Sequence, residues 1–240
     1  VTGAHESEDR FGVVLAQLRD DELPRLELAR PFVDVLPVTG TSVSTLGDLL
    51  GTETVAASDA QAARLDELQF DLGEGPCWDA LRLERPVLEP DARRPRNEWP
   101  SFSEAIKDDV GALFAFPMLI GPLKIGAVDM YTTEPGILTR VHVRQATALA
   151  DQVARILLHQ AVSALVHETE EAEVTPFSRR IIHQATGMVL AQLGLTAEDA
   201  RLVIQSHAFA TGRTMMAVSQ DLLDGRLDFS RRDGRIEDSR

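Results

Sequence analysis

The sequence predicts an α+β chain: an N-terminal antiparallel sheet with flanking helices, a long connector helix, and a C-terminal bundle of three helices. Three observations carry this. Eleven of the twelve prolines lie at or before Pro135, and Pro and Gly mark turns, so the first part is turn-rich. Residues 137–175 contain neither Gly nor Pro, which suits one long helix. After Pro176 there is no further proline, and helical apolar spacing recurs between Gly194, Gly212 and Gly225.

Taken in order, residues 10–19 and 23–36 carry apolar side chains at helical spacing. Residues 42–46 and 53–57 are short β-branched runs near Gly40, Gly47 and Gly51, and they read as a hairpin pair. Residues 59–68 are rich in Ala and Leu and predict a helix, 86–89 a short strand, and 101–107 a short helix. Residues 112–120 and 124–131 are strand candidates joined by a turn at Gly121-Pro122. Strands joined by short turns, with helices before and after, imply an α+β sheet domain.

Residues 137–174 predict the connector. Ala146, Leu149, Val153, Ile156, Leu157, Ala161 and Ala164 recur near one face, and Gln160 interrupts the stripe. Such a helix can pack on its own sheet, extend as a dimerising coiled coil, or do both along its length. Thr175-Pro176 reads as an N-cap with Pro at the first helical position. The helix it starts closes at Gly194. Thr196 caps a second helix that ends near Gly212, and a third runs over 214–223. The charged tail, 227–240, is expected to be disordered. Three short helices in some fifty residues are marginal alone, which favours a partner domain or a dimer.

Composition excludes several function classes. The single cysteine rules out an intrachain disulfide framework and multi-Cys metal sites. The six histidines, His5, His142, His159, His167, His183 and His207, share no metal-ligand spacing. No P-loop is present. The expectation is a non-enzyme with no cofactor and no metal, soluble and cytoplasmic, without a membrane segment.

The net charge of -14 argues against nucleic acid only when averaged over the chain. Residues 1–175 hold 15 basic and 30 acidic side chains, and residues 176–240 hold 9 and 8. The acidity therefore belongs to the sheet domain and connector. In the near-neutral remainder, Arg179 and Arg180 open the first bundle helix and Arg213 precedes the third. They can converge on a phosphate or stand as ordinary solvated arginines.

The bundle resembles the ANTAR domain, a three-helix RNA-binding module of bacterial transcription antiterminators. The resemblance lies in Arg179, Ile182, Gln184, Ala185 and Gly187 of the first helix, then in the Gly194-Leu195-Thr196 turn with Glu198 and Ala200. Ala208, Arg213 and Val218 extend it. The upstream region resembles a GAF domain. There the telling residues are Leu72-Gly73-Glu74-Gly75-Pro76-Cys77-Trp78-Asp79-Ala80, Arg85-Pro86-Val87-Leu88, Trp99-Pro100 with Phe102, Phe114 to Pro117, and Gly126 to Met130. The pair implies a sensor domain over 10–137 that can take a small molecule, a connector over 138–174, and an RNA-binding effector over 175–226. It also implies a homodimer acting on paired RNA stem-loops near terminators.

On that resemblance, Arg179, Arg180 and Arg213 would bind phosphates and Gln184 would pair with a base edge. Ala185 and Gly187 would let bases approach a thin helix side, and His207 would stack on a base. Apart from the resemblance, close helix packing is the preferred explanation of Ala185 and Gly187, and a half-buried core position would explain His207. The chain departs from the family at Thr186, where a Lys is usual, and at Gln205, where an Arg is expected. His207, Gly212 and Ala217 depart as well. Two missing cations imply weaker or differently directed RNA binding. The alternative reading is a small-molecule or redox sensor whose bundle docks a protein.

Two features of the sheet domain remain. Cys77 can be a low-pKa thiol at a helix start or a small buried hydrophobe, and the second reading is preferred. The cluster Arg93-Arg94-Pro95-Arg96 can bind an anion or pair with the domain's surplus carboxylates, again with the second preferred.

Overall fold

The computed structural model describes residues 2–19, 23–46, 50–94, 97–106, 109–167, 179–232 and 235–239. It divides into two compact units. The first comprises Val1–Gln69 and Gly73–Phe177, and the second Ser178–Arg240, with Phe70–Leu72 counted with it.

The first unit is built on a five-stranded antiparallel sheet of order β2-β1-β5-β4-β3. Its strands are β1 (Gly40–Thr45), β2 (Glu53–Ala57), β3 (Val87–Glu89), β4 (Ala112–Ile120) and β5 (Leu123–Thr132). The two predicted hairpins, β1–β2 and β4–β5, pair as neighbours. The helices are α1 (Thr2–Arg19), α2 (Arg30–Val35), α3 (Ala60–Leu72), α4 (Pro76–Leu83), α5 (Pro100–Ile106) and α6 (Arg140–His167).

Period-2 alternation sorts the strand residues between two faces. Val43, Val55, Phe114, Phe116, Val128 and Met130 join a core with Val14 and Leu18 of α1, Phe32 of α2, and Ala146, Leu149, Ala150, Val153 and Leu157 of α6. The first half of α6 therefore packs on its own sheet, while Val162 in the second half is exposed. Each fully buried Leu, Val or Phe contributes roughly 1.5–3 kcal/mol. Pro117 sits inside β4, but β3 pairs only with Leu113 to Ala115. Beyond that point β4 is an edge strand, where a missing N–H is tolerated.

One predicted helix is divided. Residues 23–36 form a 3-10 turn, Arg25–Glu27, followed by the separate helix α2. Pro31 is the reason: within a continuous helix it would remove a hydrogen bond and clash with the preceding turn, whereas near a helix start it fits.

The second unit holds α7 (Arg180–Leu193), α8 (Ala197–Thr211) and α9 (Met215–Leu223). The Thr196 hydroxyl accepts from the Asp199 N–H and the Thr214 hydroxyl from the Ala217 N–H, the two caps at which α8 and α9 begin. Each cap is worth about 1 kcal/mol. The expected cap at Thr175-Pro176 lies outside the described residues, as do Glu168 to Glu173. Ile182, Ala185 and Val189 of α7, Ala200, Ile204 and Ala208 of α8, and Met215, Val218 and Leu222 of α9 form the core.

The tail corrects the expectation of disorder. β6 (Asp228–Arg232) and β7 (Arg235–Ser239) pair as an antiparallel hairpin. Leu227 and Phe229 are buried in the same core as the helices. Two large apolar side chains at the start of a charged tail anchor it, and charge counting alone conceals them.

Candidate functional site

The first effector helix separates its residues cleanly by face. Ile182, Ala185, Val189 and Leu193 recur at core spacing and are buried. Arg180, Gln184, Gly187 and Ala191 recur at the same 3–4 spacing on another face. Gln184, Gly187 and Ala191 are exposed; the Arg180 side chain lies outside the described residues. Ala185 is thus a packing residue. Gly187 is not, because a Cβ built there would meet nothing within 4 Å. A glycine inside a helix is about 1 kcal/mol less favourable than alanine, and packing within the chain gives no reason for it.

Arg179 stands at the N-cap of α7, where its carbonyl accepts from the His183 N–H, and its side chain is buried. Thr186, at the position of the family's Lys, turns its hydroxyl back onto the Ile182 carbonyl at 2.7 Å. It offers no cation in that Lys's place. Gln205 is half-buried. His207 is half-buried too, and its ring meets Phe229 edge-on with centroids 5.4 Å apart. Arg213 lies between α8 and α9. Its guanidinium donates to Asp221 Oδ2 at 2.6 Å and to the Ala217 carbonyl at 3.2 Å. Arg226 donates to the other Asp221 oxygen at 2.8 Å. Hydrogen bonds from Arg213 and then Arg226 hold the Asp221 carboxyl below the usual carboxylate range.

In the sensor unit the telling glycine motif is structural. Gly75 adopts φ 138°, which side chains rarely adopt, and a Cβ there would overlap the Gln69 side chain. Gly75 turns the chain into α4, whose Cys77 N–H donates to Gln69 Oε1 at 2.9 Å. The Trp78 indole donates to the Gln69 carbonyl, the Trp99 indole to Asp79, and Glu74 accepts from the Phe102 N–H. Cys77 is 0 % exposed, in accord with the buried-hydrophobe reading. Arg93 pairs with Glu134 at 2.9 Å and Arg94 with Asp91 at 2.8 Å, in accord with the ion-pair reading. Arg96 lies outside the described residues.

A cluster missed by sequence reasoning sits on the sheet face opposite the α6 core. The Ser44 hydroxyl donates to Asp66 Oδ1 at 2.6 Å, and the Thr54 hydroxyl donates to Asp66 Oδ2. Asp129, in the middle of β5, is buried close to this carboxylate. Desolvation first, and then the Asp66 charge, push the Asp129 carboxyl well above its ordinary range, while the Gln69 side chain acts the other way. A charge in low dielectric with a like charge beside it is best relieved by a proton.

Among the described residues, no helix is long and apolar enough to cross a membrane. No group of three or more His, Cys, Asp or Glu among them is placed to hold a metal ion.

Comparison with known proteins assigns the two units. No curated protein matches the chain. Two solved structures share the fold of the first unit. One is the GAF domain from a Coxiella burnetii phosphoenolpyruvate-protein phosphotransferase, at 16% identity and a TM-score of 0.52, covering 65% of this chain and 97% of that one. The other is the GAF domain from the Acinetobacter phosphoenolpyruvate-protein phosphotransferase, at 12% identity and a TM-score of 0.50, covering 69% and 96%. At such identities the likeness speaks for the fold alone. The model of the GAF domain matches residues 25–158, more than half of the chain, and that of the ANTAR domain matches residues 170–223. The chain belongs to the GAF domain family and carries an ANTAR domain behind its GAF domain.

Proposed function

We propose that the protein is an RNA-binding transcription antitermination regulator in which the GAF domain senses a signal and the ANTAR domain acts on RNA. The sensor spans 10–137, the connector 138–174 and the effector 175–226. The protein works in the cytoplasm as a homodimer that presents two effector bundles to paired stem-loops. It is not an enzyme. A small molecule or partner at the sensor would act by shifting the population of connector arrangements, and so the alignment of the two bundles.

The observation that carries the RNA reading is Gly187. It lies on the exposed face of α7 that Gln184 shares, with open space where a Cβ would stand. A ligand that approaches the helix backbone closely accounts for a glycine that packing does not. Base edges of single-stranded RNA loops approach protein in this way. An amide at Gln184 can then pair with a base, and Arg180 and Arg213 can meet phosphates.

Gly187→Ala tests this because, on the proposed reading, stability and RNA affinity move in opposite directions. The substitution should stabilise α7 by roughly 0.5–1 kcal/mol, raising the thermal midpoint of the bundle. On the proposed reading it should also weaken binding to stem-loop RNA, measured at one stated salt concentration. A variant that is more stable and binds RNA as well as the wild type would remove Gly187 from the interface. Failure of the wild type to bind any stem-loop RNA, together with salt-insensitive capture of a protein, would favour the protein-docking alternative.

A further inference from the structure

His207 is the aromatic that the family resemblance assigns to base stacking, but its ring is already used. It is half-buried and packs edge-on against Phe229, itself part of the bundle core. The bundle nevertheless presents another aromatic. Phe209 of α8 is 68 % exposed, and no other Phe, Tyr or Trp among the described residues is exposed.

The surroundings of Phe209 suit a flat ligand. Ala200, Ile204 and Ala208 form the buried stripe of α8. Phe209 and Leu202, seven residues apart, lie on the opposite side of the helix and are both exposed. Of the residues one turn from Phe209, Ser206 and Gly212 are small and exposed, and Gln205 is half-buried. Gly212 takes φ 65° at the end of α8, where a side chain would be strained, and nothing lies within 4 Å of its missing Cβ. A guanidinium follows at once in Arg213, which is exposed. An open aromatic ring, small exposed neighbours at Ser206 and Gly212, and an adjacent guanidinium that Asp221 holds at the surface are the parts of a single-strand stacking platform.

Resting on the RNA reading above, we propose that Phe209 is the base-stacking residue of this effector, taking over the role that His207 cannot fill. An unpaired base lies on its ring, and the adjoining phosphate competes with the Asp221 carboxylate for Arg213. Stacking is tolerant of base identity because every base has a π-face, so Phe209 adds affinity while Gln184 supplies the sequence preference.

The test uses the full chain and a two-stem-loop RNA that the wild type selects from a pool with randomised single-stranded loops. Phe209→Ala and Phe209→Leu should each weaken binding by about tenfold, and Phe209→Trp should keep wild-type affinity. The slope of log affinity against log salt should be unchanged in all three, because no cation is removed. Fluorescence from the introduced tryptophan should be quenched on RNA addition, above the constant signal of Trp78 and Trp99. Wild-type affinity in both the Ala and Leu variants overturns the proposal. So does wild-type affinity in Leu alone, which would make the contact merely apolar. Loss of a dimer in Phe209→Ala, by light scattering without RNA, would reassign the face to a second copy of the chain. A wild type that selects no RNA overturns the RNA reading itself, and that failure is distinct because it precedes any variant.

Discussion

The two units solve the burial problem differently. The sensor sheet is covered on one face by α1, α2 and α6, and its apolar core is large. It also accommodates a polar cluster of Ser44, Thr54, Asp66 and Asp129 on its other face. The effector bundle is short, and its core draws on all three helices and on Leu227 and Phe229 from beyond the third. Burial per residue rises with domain size, so the larger unit can hold an internal electrostatic cost more readily than the smaller one. In the smaller unit the ion pairs of Asp221 with Arg213 and Arg226 are solvent-accessible.

Matched cavities would break this comparison if it is wrong. Phe229→Ala removes a buried aromatic from the effector and should cost about 3–5 kcal/mol. Leu149→Ala removes a buried side chain from α6 and should cost about 2–5 kcal/mol in the sensor. A core of the effector's size rarely supplies more than about 3–5 kcal/mol. The first variant should therefore unfold the effector at room temperature, while the second leaves the sensor folded with a lower midpoint. Amide hydrogen exchange, read separately over α7–α9 and over the sheet, distinguishes the two. Protection of α7–α9 surviving in Phe229→Ala would show that the hairpin is an appendage and not part of the core.

The buried carboxylate sharpens the comparison from the sensor side. Folding raises the proton affinity of Asp129. The native state therefore holds a proton that the unfolded chain releases above its ordinary pKa of about 3.9. Native stability then falls as pH rises from that value through the raised native pKa. Asp129→Asn has nothing to protonate. It should match the wild type at acid pH and exceed it increasingly towards neutral pH, by roughly 1–3 kcal/mol, the usual cost of an uncompensated buried polar group. Thermal melts of the sensor at pH 4 and pH 8 check this. A wild-type midpoint independent of pH across that window would contradict a protonated Asp129.

Legibility in the sequence divides along the same physical line. The strands, the Gly121-Pro122 turn and the caps at Thr196 and Thr214 depend on residues close together in the chain, so local pattern suffices to find them. Pro31 was equally local, and its break of the 23–36 helix could have been read from it. The Asp66–Asp129 cluster was not legible. Ser44, Thr54 and Asp129 each look like the polar alternate of an ordinary strand, and only the order β2-β1-β5 beneath α3 brings them together. Phe209 was hidden for the opposite reason. An apolar residue on a bundle helix is presumed buried, and its exposure follows only once the core stripe of α8 is known.

The smallest effect tests how far the effector's surface charges serve a partner rather than the fold. Arg213 is held by Asp221, and hydrogen bonds from Arg213 and then Arg226 lower that carboxyl's pKa. A phosphate must compete with this carboxylate for the guanidinium. Asp221→Asn removes the competing charge while keeping a side chain of the same shape. Stability should barely change, since exposed ion pairs contribute little. RNA affinity should rise by a few-fold, and its salt dependence should steepen by about one counterion, because one more cation is released to a phosphate. Arg213→Ala in the Asp221→Asn background should then cancel both gains. If Asp221→Asn leaves affinity and salt slope unchanged, Arg213 serves only to join α8 to α9, and the phosphate contacts must come from the start of α7.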